Sequence, residues 1–386
     1  MTNRLNAPKL RFGLIFGGRS GEHAISLLSA RSVLAAIDTA RYEVTQIGIT
    51  PLGSWFVSKP DGPDVLAILE QGIPSDTVPV VMLPLPERSG LFGLVKQNSK
   101  NSLVLFQELD VVFPLLHGTF GEDGTIQGLF EMSGLAYVGA GVLGSALGMD
   151  KAAFKDVMRA NGIPVVESIL ALRSEIESNM DRVIRRAEAL SGYPLFTKPA
   201  NLGSSVGISK CRNRSDLVEG LMEAALYDRR ILIERGIDGR EIEVSVLGNS
   251  QPETSIPGEV VPAGDFYTYA SKYIDNRSQL LIPAPISREK AEEIRELAVR
   301  SFKAIDCAGM LRADFLLDKD TGEVFLNEIN TIPGFTQISM YPKLWEASGL
   351  SYPRLIDRLV ELALERKLDR DRTIHEYSRE ERRHLS

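Results

Sequence analysis

The sequence predicts a chain of two or three domains, of mixed α/β and α+β class, opened by a unit built on a parallel sheet. Three observations carry this. At 386 residues the chain exceeds what one ordinary hydrophobic core supports. An early stretch, RFGLIFGG, is an apolar run ending in glycines, and SGEHAISLLSARSVLAAI follows at helical spacing; together they make a strand-to-helix unit. Much later, LRADFLLDKDTGEVFLNEIN reads as two strands joined by an Asp- and Gly-rich turn.

Bulk composition narrows the class further. Apolar content of 44% and charged content of 25% are those of a soluble globular protein. No apolar run approaches the ~20 residues that cross a bilayer, and the N-terminal segment lacks a small-residue cleavage pattern, so neither membrane association nor a signal peptide is expected. Cys211 and Cys307 give no disulfide framework and no metal-ligand spacing, which points to a reducing cytoplasm. A net charge of −7 without a basic face gives no reason to expect nucleic acid as a partner.

Taken in order, Ser20 is placed as the first helix's N-cap, with Glu22 in a first turn where backbone amides favour a carboxylate. YEVTQIGIT is a second parallel strand. Residues 51–100 are rich in Pro, Gly and Ser around VPVVMLPL and read as an irregular insertion or small subsheet. LDVVFPLLHG is a buried strand bringing His117 to the carboxyl end, where open α/β sheets bind ligands; a lone His there reads equally well as structural. A glycine-rich loop, GTFGEDG, then leads into a helix. KAAFKDVMRANG is a helix capped by Asp150 and stopped by Gly162, with Pro164 beyond. YPLFTKPANLGSSVGISKC reads as strand, Gly-Ser loop, strand, and ILIERGIDGREIEVSVLG as two strands about a GIDG turn. VPAGDFYTYASKYIDNRSQLLIPAP is polar, Tyr-rich and without apolar period, a long loop of the kind that carries function. SREKAEEIRELAVRSFKAI is amphipathic, with Ala291, Ile294, Leu297, Ala298 and Phe302 on one face. SYPRLIDRLVELALERK is a last amphipathic helix, before a charged tail expected to fray. The expected division is 1–135, 136–228, 229–368 and a tail at 369–386.

The chemistry starts at the hairpin. With the turn centred near Thr321, Asp314 faces Glu328 and Arg312 faces Asn330, all four on one face. Facing carboxylates repel. A hard divalent cation removes the objection, since Asp, Glu and Asn oxygens suit Mg²⁺ or Mn²⁺. A solvated acidic hairpin with an Arg–carboxylate pair is the other reading of the same residues. The loop Gly203–Gly207, with Ser204 and Ser205, offers N–H groups and hydroxyls in a nest suited to phosphate. It joins strand to strand and has no following Lys, so it is neither a Walker A loop nor a dinucleotide fingerprint. Lys151 and Lys198 could hold phosphates as point charges. Glu234 and Glu241 flank the next turn, and spacing alone reads them as surface acids.

Eight segments in register, GGRSGEHAIS, LLHGTFGEDGTIQG, MDK, TKPANLGSSVGISK, ILIERGIDGREIEV, YTYASKY, GMLRADF and LNEINTIPGFT, resemble the ATP-grasp superfamily and within it the D-alanine–D-alanine ligases. The resemblance implies an ATP-grasp fold behind a Rossmann-like N-terminal domain. It also implies ATP-dependent joining of two D-alanines through an acyl phosphate, for peptidoglycan precursors, in a cytoplasmic homodimer. It places Asp314, Glu328 and Asn330 on two Mg²⁺ or Mn²⁺ ions. ATP falls to Lys151, Lys198, Ser204, Ser205, Glu234, Ile237, Glu241, Phe266, Lys272, Asn327 and Glu328. Arg312 and the Gly334 amide would stabilise the tetrahedral intermediate. Glu22, with His117 nearby, would hold the first D-alanine, and Ser339 the second one's carboxylate. Ser204, Tyr273 and Glu22 would bond together to close the lid, and Lys272 would enter with it. Arg235-Gly236 stands where many relatives have Lys-Trp or similar. Tyr273 favours a dipeptide over the alternative, a D-alanyl-D-lactate or other carboxylate–amine product. A nicotinamide-dependent dehydrogenase is excluded because GGRSGE lacks the glycine spacing.

Overall fold

A computed structural model describes residues 8–59, 61–72, 77–97, 100–203, 206–261 and 279–374, and the elements below are those among the described residues. The N-terminal sheet comprises β1 (Leu10–Gly17), β2 (Tyr42–Ile49), β3 (Trp55–Ser58), β4 (Thr77–Met82), β5 (Gly90–Gln97), β6 (Lys100–Glu108), β7 (Val111–Leu115) and β8 (Ala136–Tyr137). Their order is β6-β5-β4-β3-β2-β1-β7-β8. The β2-β1-β7-β8 half is parallel, as the strand-to-helix pattern requires. The other half is antiparallel, so residues 51–100 form, of the two expected forms, the small subsheet and not the irregular insertion, and it continues the main sheet. Helices α1 (His23–Ala36), α2 (Val65–Gln71) and α3 (Thr125–Met132) accompany this sheet.

Helix α1 begins two residues later than its Ser20 cap implied. Glu22 holds the N-cap position, and Ser20 Oγ accepts the Glu22 N–H at 3.0 Å while donating to the His117 carbonyl at 2.7 Å. Ser20 therefore ties the first strand-to-helix loop to the end of β7. At the turn out of β1, Gly17 has φ +94°, and a Cβ there would lie 2.2 Å from the Ile49 carbonyl oxygen. Only glycine fits that approach.

Helices α4 (Val142–Met149) and α5 (Lys151–Ala160) lead to a four-stranded antiparallel sheet. It contains β9 (Ser168–Leu172), β10 (Leu195–Pro199), β11 (Ser209–Cys211) and β12 (Arg230–Arg235), backed by α6 (Arg173–Leu190) and α7 (Arg214–Tyr227). The third sheet holds β13 (Gly239–Gly248), β14 (Glu253–Thr254), β15 (Gly258–Val261), β16 (Gln279–Leu281), β17 (Gly309–Asp318) and β18 (Val324–Asn330). It is flanked by α8 (Arg288–Ala304), α9 (Met340–Ala347) and α10 (Tyr352–Arg370). Thus the GIDG turn does not close a hairpin; β12 and β13 lie in different sheets and the turn crosses between them. Helix α10 runs through Arg370, so the first residues of the charged tail are helical.

The core divides by sheet face. One face of the N-terminal sheet, with Phe12, Leu14, Phe16 and Phe113, packs with Met310, Phe335, Tyr341, Leu355, Ile356 and Leu359 in one buried cluster. A second cluster lies between β13, β17, β18 and α8, with Ile242, Val244, Ala313, Phe315, Ile294 and Phe302. No described helix is long and apolar enough to cross a membrane.

Candidate active site

The β17–β18 hairpin has the register that strand parity requires, Arg312 opposite Asn330 and Asp314 opposite Glu328. Between Asp314 and Phe315 the register shifts by one residue. Asn327 is the extra residue, so Asn327 and Glu328 both face the cleft while Leu326 and Ile329 stay in the core. On the other side of β17, Glu243 of β13 is in register with Asp314. Three carboxylates, Glu243, Asp314 and Glu328, thus form a row across three strands. Arg312 neutralises part of it, with Nε 2.7 Å from Asp314 Oδ1, Nη2 2.6 Å from Asp314 Oδ2, and Nε 2.9 Å from Glu243 Oε2. Asn330 Nδ2 donates to Asp314 Oδ2 at 3.0 Å.

Among the described residues no three His, Cys, Asp or Glu side chains converge as a metal cage. The expected set is two carboxylates and one amide. Such an incomplete oxygen set fits Mg²⁺, which fills its shell with waters and phosphates. The donor chemistry and the in-register pair therefore suit the metal.

Beside the hairpin lies a cleft of about 750 Å³, between the second and third sheets. Asp150 caps α5 by accepting the N–H groups of Ala152 at 3.1 Å and Ala153 at 2.9 Å, which aims Lys151 into the cleft. Lys151 Nζ donates to the Leu202 carbonyl at 2.8 Å and stands 3.6 Å from Glu328 Oε2. Across β12, buried Glu234 bridges two ammonium groups, Lys155 Nζ at 2.8 Å and Lys198 Nζ at 2.5 Å. Burial alone would raise the Glu234 carboxyl, but the charges of Lys198 and Lys155 override it and hold it down at about 2. For Lys198, burial pulls downward and Glu234 more than offsets it, so the net shift is upward. For Lys155 burial wins and the shift is downward.

Beyond Thr331, at the edge of the cleft, loop 331–339 docks on the N-terminal domain. His117 is buried, and burial pushes it down to about 4, so it is neutral. Its Nδ1–H donates to the Ile332 carbonyl at 3.0 Å, leaving Nε2 to accept the Ser29 hydroxyl at 3.0 Å. Ser29 Oγ in turn accepts the Phe335 N–H at 3.4 Å. Glu122 accepts the Ile332 N–H at 3.0 Å and the Gly118 N–H at 2.8 Å; burial first, then the negative charge of Glu22, raise its carboxyl. Tyr352 of α10 donates to the Phe335 carbonyl at 2.5 Å. Gly334 is thereby fixed from both sides. A Cβ on it would lie 3.2 Å from Ser339 Oγ, which pairs with Thr336 Oγ1 at 2.7 Å. Glu22 reaches the Gly-Ser loop, where a Cβ on Gly203 would sit 3.3 Å from Glu22 Oε2.

Of the expected site residues, Glu22, Lys151, Lys198, Glu234, Ile237, Glu241, Asp314, Asn327, Glu328 and Asn330 line the one cleft. Arg312 joins it through Asp314, whereas His117, Gly334 and Ser339 do not line it: His117 opens on a separate cavity of about 300 Å³ beside Gly17, Gly18 and Ser20, and Gly334 and Ser339 lie in the neighbouring loop 331–339. Ser204, Ser205, Phe266, Lys272 and Tyr273, and with them the flap, lie outside the described residues. Three residues were missed: Lys155, Glu243 and Glu122. Lys155 lies one helical turn from Lys151 and Glu243 two strand positions from Glu241, but that spacing alone does not reveal the partners of either.

Two family models match the chain, the D-ala D-ala ligase N-terminus over residues 11–140 and the D-ala D-ala ligase C-terminus over residues 157–361. The D-alanine–D-alanine ligase of Natranaerobius thermophilus is 48% identical over 371 residues, spanning 96% of this chain and 99% of that one. The solved D-alanine–D-alanine ligase of Coxiella burnetii superposes with a TM-score of 0.78 at 35% identity, over 95% of this chain and 97% of that one. The VanG D-Ala:D-Ser ligase of Enterococcus faecalis gives 0.81 at 34%, over 92% of this chain and 100% of that one. The three-sheet architecture is that of the ATP-grasp fold. Matched by both models and nearly half identical to a relative along almost its whole length, the chain belongs to the D-alanine–D-alanine ligase family.

Proposed function

We propose that this chain joins two D-alanine molecules into D-alanyl-D-alanine at the expense of ATP, supplying peptidoglycan precursors. The observation that carries the reading is the in-register Asp314–Glu328 pair with Arg312 and Asn330 beside it, at one end of a lysine-lined cleft. The γ-phosphoryl group passes to the carboxylate of the first D-alanine, and ADP is left. The amine of the second D-alanine attacks that acyl phosphate, loses a proton, and expels inorganic phosphate as the peptide bond forms.

Each residue has a task of position or charge. Glu22 holds the first D-alanine's ammonium, and His117 keeps the adjoining loop in place. Lys151 and Lys198 take the phosphates. Glu234 and the Ile237 backbone meet adenine; Asn327 and Phe266 complete that pocket, and Glu241 meets the ribose. Arg312 and the Gly334 N–H stand where the tetrahedral oxyanion develops, and charge stabilisation there is usually the largest contribution to rate. Ser339 receives the second carboxylate. Two Mg²⁺ or Mn²⁺ ions at Asp314, Glu328 and Asn330 supply charge neutralisation at the phosphates when bound. Ser204, Tyr273 and Glu22, bonded together with Lys272 entering beside them, would close over the site and protect the acyl phosphate from water. We assign the protein to the cytoplasm as a homodimer, with the division at 1–135, 136–228, 229–368 and 369–386.

Phosphate release from Mg·ATP, with products identified by mass, tests this. D-alanine alone giving the dipeptide is the expected result. Turnover only when D-lactate or D-serine is added would move the second substrate, and no turnover despite ATP binding would overturn the assignment.

A further inference from the structure

The mechanism above makes no use of Lys155, although it is among the most deeply buried charges in the molecule, its side chain 1% exposed. It lies one turn beyond Lys151 on α5, but only Lys151 lines the cleft. Lys155 Nζ donates to the Val166 carbonyl at 3.2 Å and to Glu234 Oε1 at 2.8 Å. The other Glu234 oxygen is held by Lys198, which lines the cleft and has a second partner in Asn327 Oδ1 at 3.4 Å. One carboxylate needs one counter-ion, and here there are two of unequal freedom. Lys155 is walled in. Lys198 can leave for a phosphate.

When Lys198 turns to the phosphates, Glu234 must keep a cation or take up a proton, because an unpaired buried carboxylate is too costly. The two outcomes recognise different bases. An ionised carboxylate only accepts hydrogen bonds, so it favours a purine presenting an amino group and repels one presenting a carbonyl oxygen. We propose that Lys155 is a positioning and specificity-determining residue. As the permanent counter-ion of Glu234 it keeps that carboxylate acceptor-only in the nucleotide-bound state, and so selects ATP over GTP. The inference rests on the reading that Glu234 meets the base.

The test compares wild type, Lys155→Met, Lys155→Gln and Glu234→Gln. KM and kcat are measured with Mg·ATP and Mg·GTP, and ATP and GTP binding by calorimetry without D-alanine. Loss of one charge-assisted hydrogen bond is worth about tenfold. For Lys155→Met the KM for ATP should therefore rise about tenfold, with a smaller change in kcat, GTP little affected, and the ATP preference reduced accordingly. Lys155→Gln keeps a donor without the charge and should show the same loss of preference. It also serves if the Met variant does not fold, as does Lys155→Met/Glu234→Gln, which removes the stranded charge and should restore folding with the preference gone. If Glu234→Gln retains wild-type preference, Glu234 does not meet the base and the underlying reading fails. If Glu234→Gln loses the preference and the Lys155 variants keep it, or weaken ATP and GTP alike, the role of Lys155 alone is overturned.

Discussion

Arg312 is the side chain on which the hairpin's charge balance turns. Replacing it with Met removes the cation between Glu243 and Asp314 and, in the proposed mechanism, the group facing the tetrahedral intermediate. We expect kcat to fall about 10²–10³-fold, and Mg²⁺ to raise the melting temperature of Arg312→Met more than that of wild type, since the ion takes over the neutralising role. Thermal melts with and without Mg²⁺ check this; equal responses would contradict it. At His117 the sign runs toward acid. Burial holds its pKa at about 4 against an ordinary 6.5, so its contribution to stability is whole above pH 6.5 and is lost as pH falls toward 4. His117→Gln should flatten the acid limb of urea-unfolding stability between those pH values. Arg312, Asp314, Glu328 and Asn330 were legible in the sequence because strand parity maps directly onto a face. Lys155 was not, because a Lys in an amphipathic helix gives no sign of what packs over it. Glu243 required knowing that β13 lies beside β17, a pairing no local pattern reports.

At the scale of elements, the cap of α5 ties the stability of that helix to the placing of Lys151 at the cleft. Asp150 satisfies two N–H groups of the first turn and pairs with Arg230. Asp150→Ala should cost about 1 kcal/mol of unfolding free energy by denaturant titration. It should also raise the KM for ATP, because Lys151 is the first residue of that helix. This helix was readable in full, its Asp cap and Gly162 stop both standing where the sequence put them. Residues 51–100 were not. Pro and Gly interrupt their strands, α2 is only seven residues long, and neither a period of 2 nor one of 3.6 can establish itself. The GIDG turn misled for a different reason: turn chemistry says that the chain reverses, and not which sheet the next strand joins.

For the molecule as a whole, the decisive contact is the cluster joining the first sheet to α10. Leu359 is fully buried there, and Leu359→Ala should cost about 2–5 kcal/mol. Calorimetry should show the N-terminal sheet and α10 melting together in wild type and variant alike; a separate early transition for that sheet would argue against a shared core. The amphipathic face of α10 was visible in the sequence, but amphipathicity says that a face is covered and not by what. The same cluster bears on how the protein is made. A ribosome releases β1 and β7 long before the helix that covers them, Tyr352–Arg370. Until then that apolar face of the nascent sheet is covered only in part, by α1 and α2. The interval is an opening for chaperones or for aggregation, and a fragment ending at residue 350 should bind hydrophobic dyes that the full chain ignores.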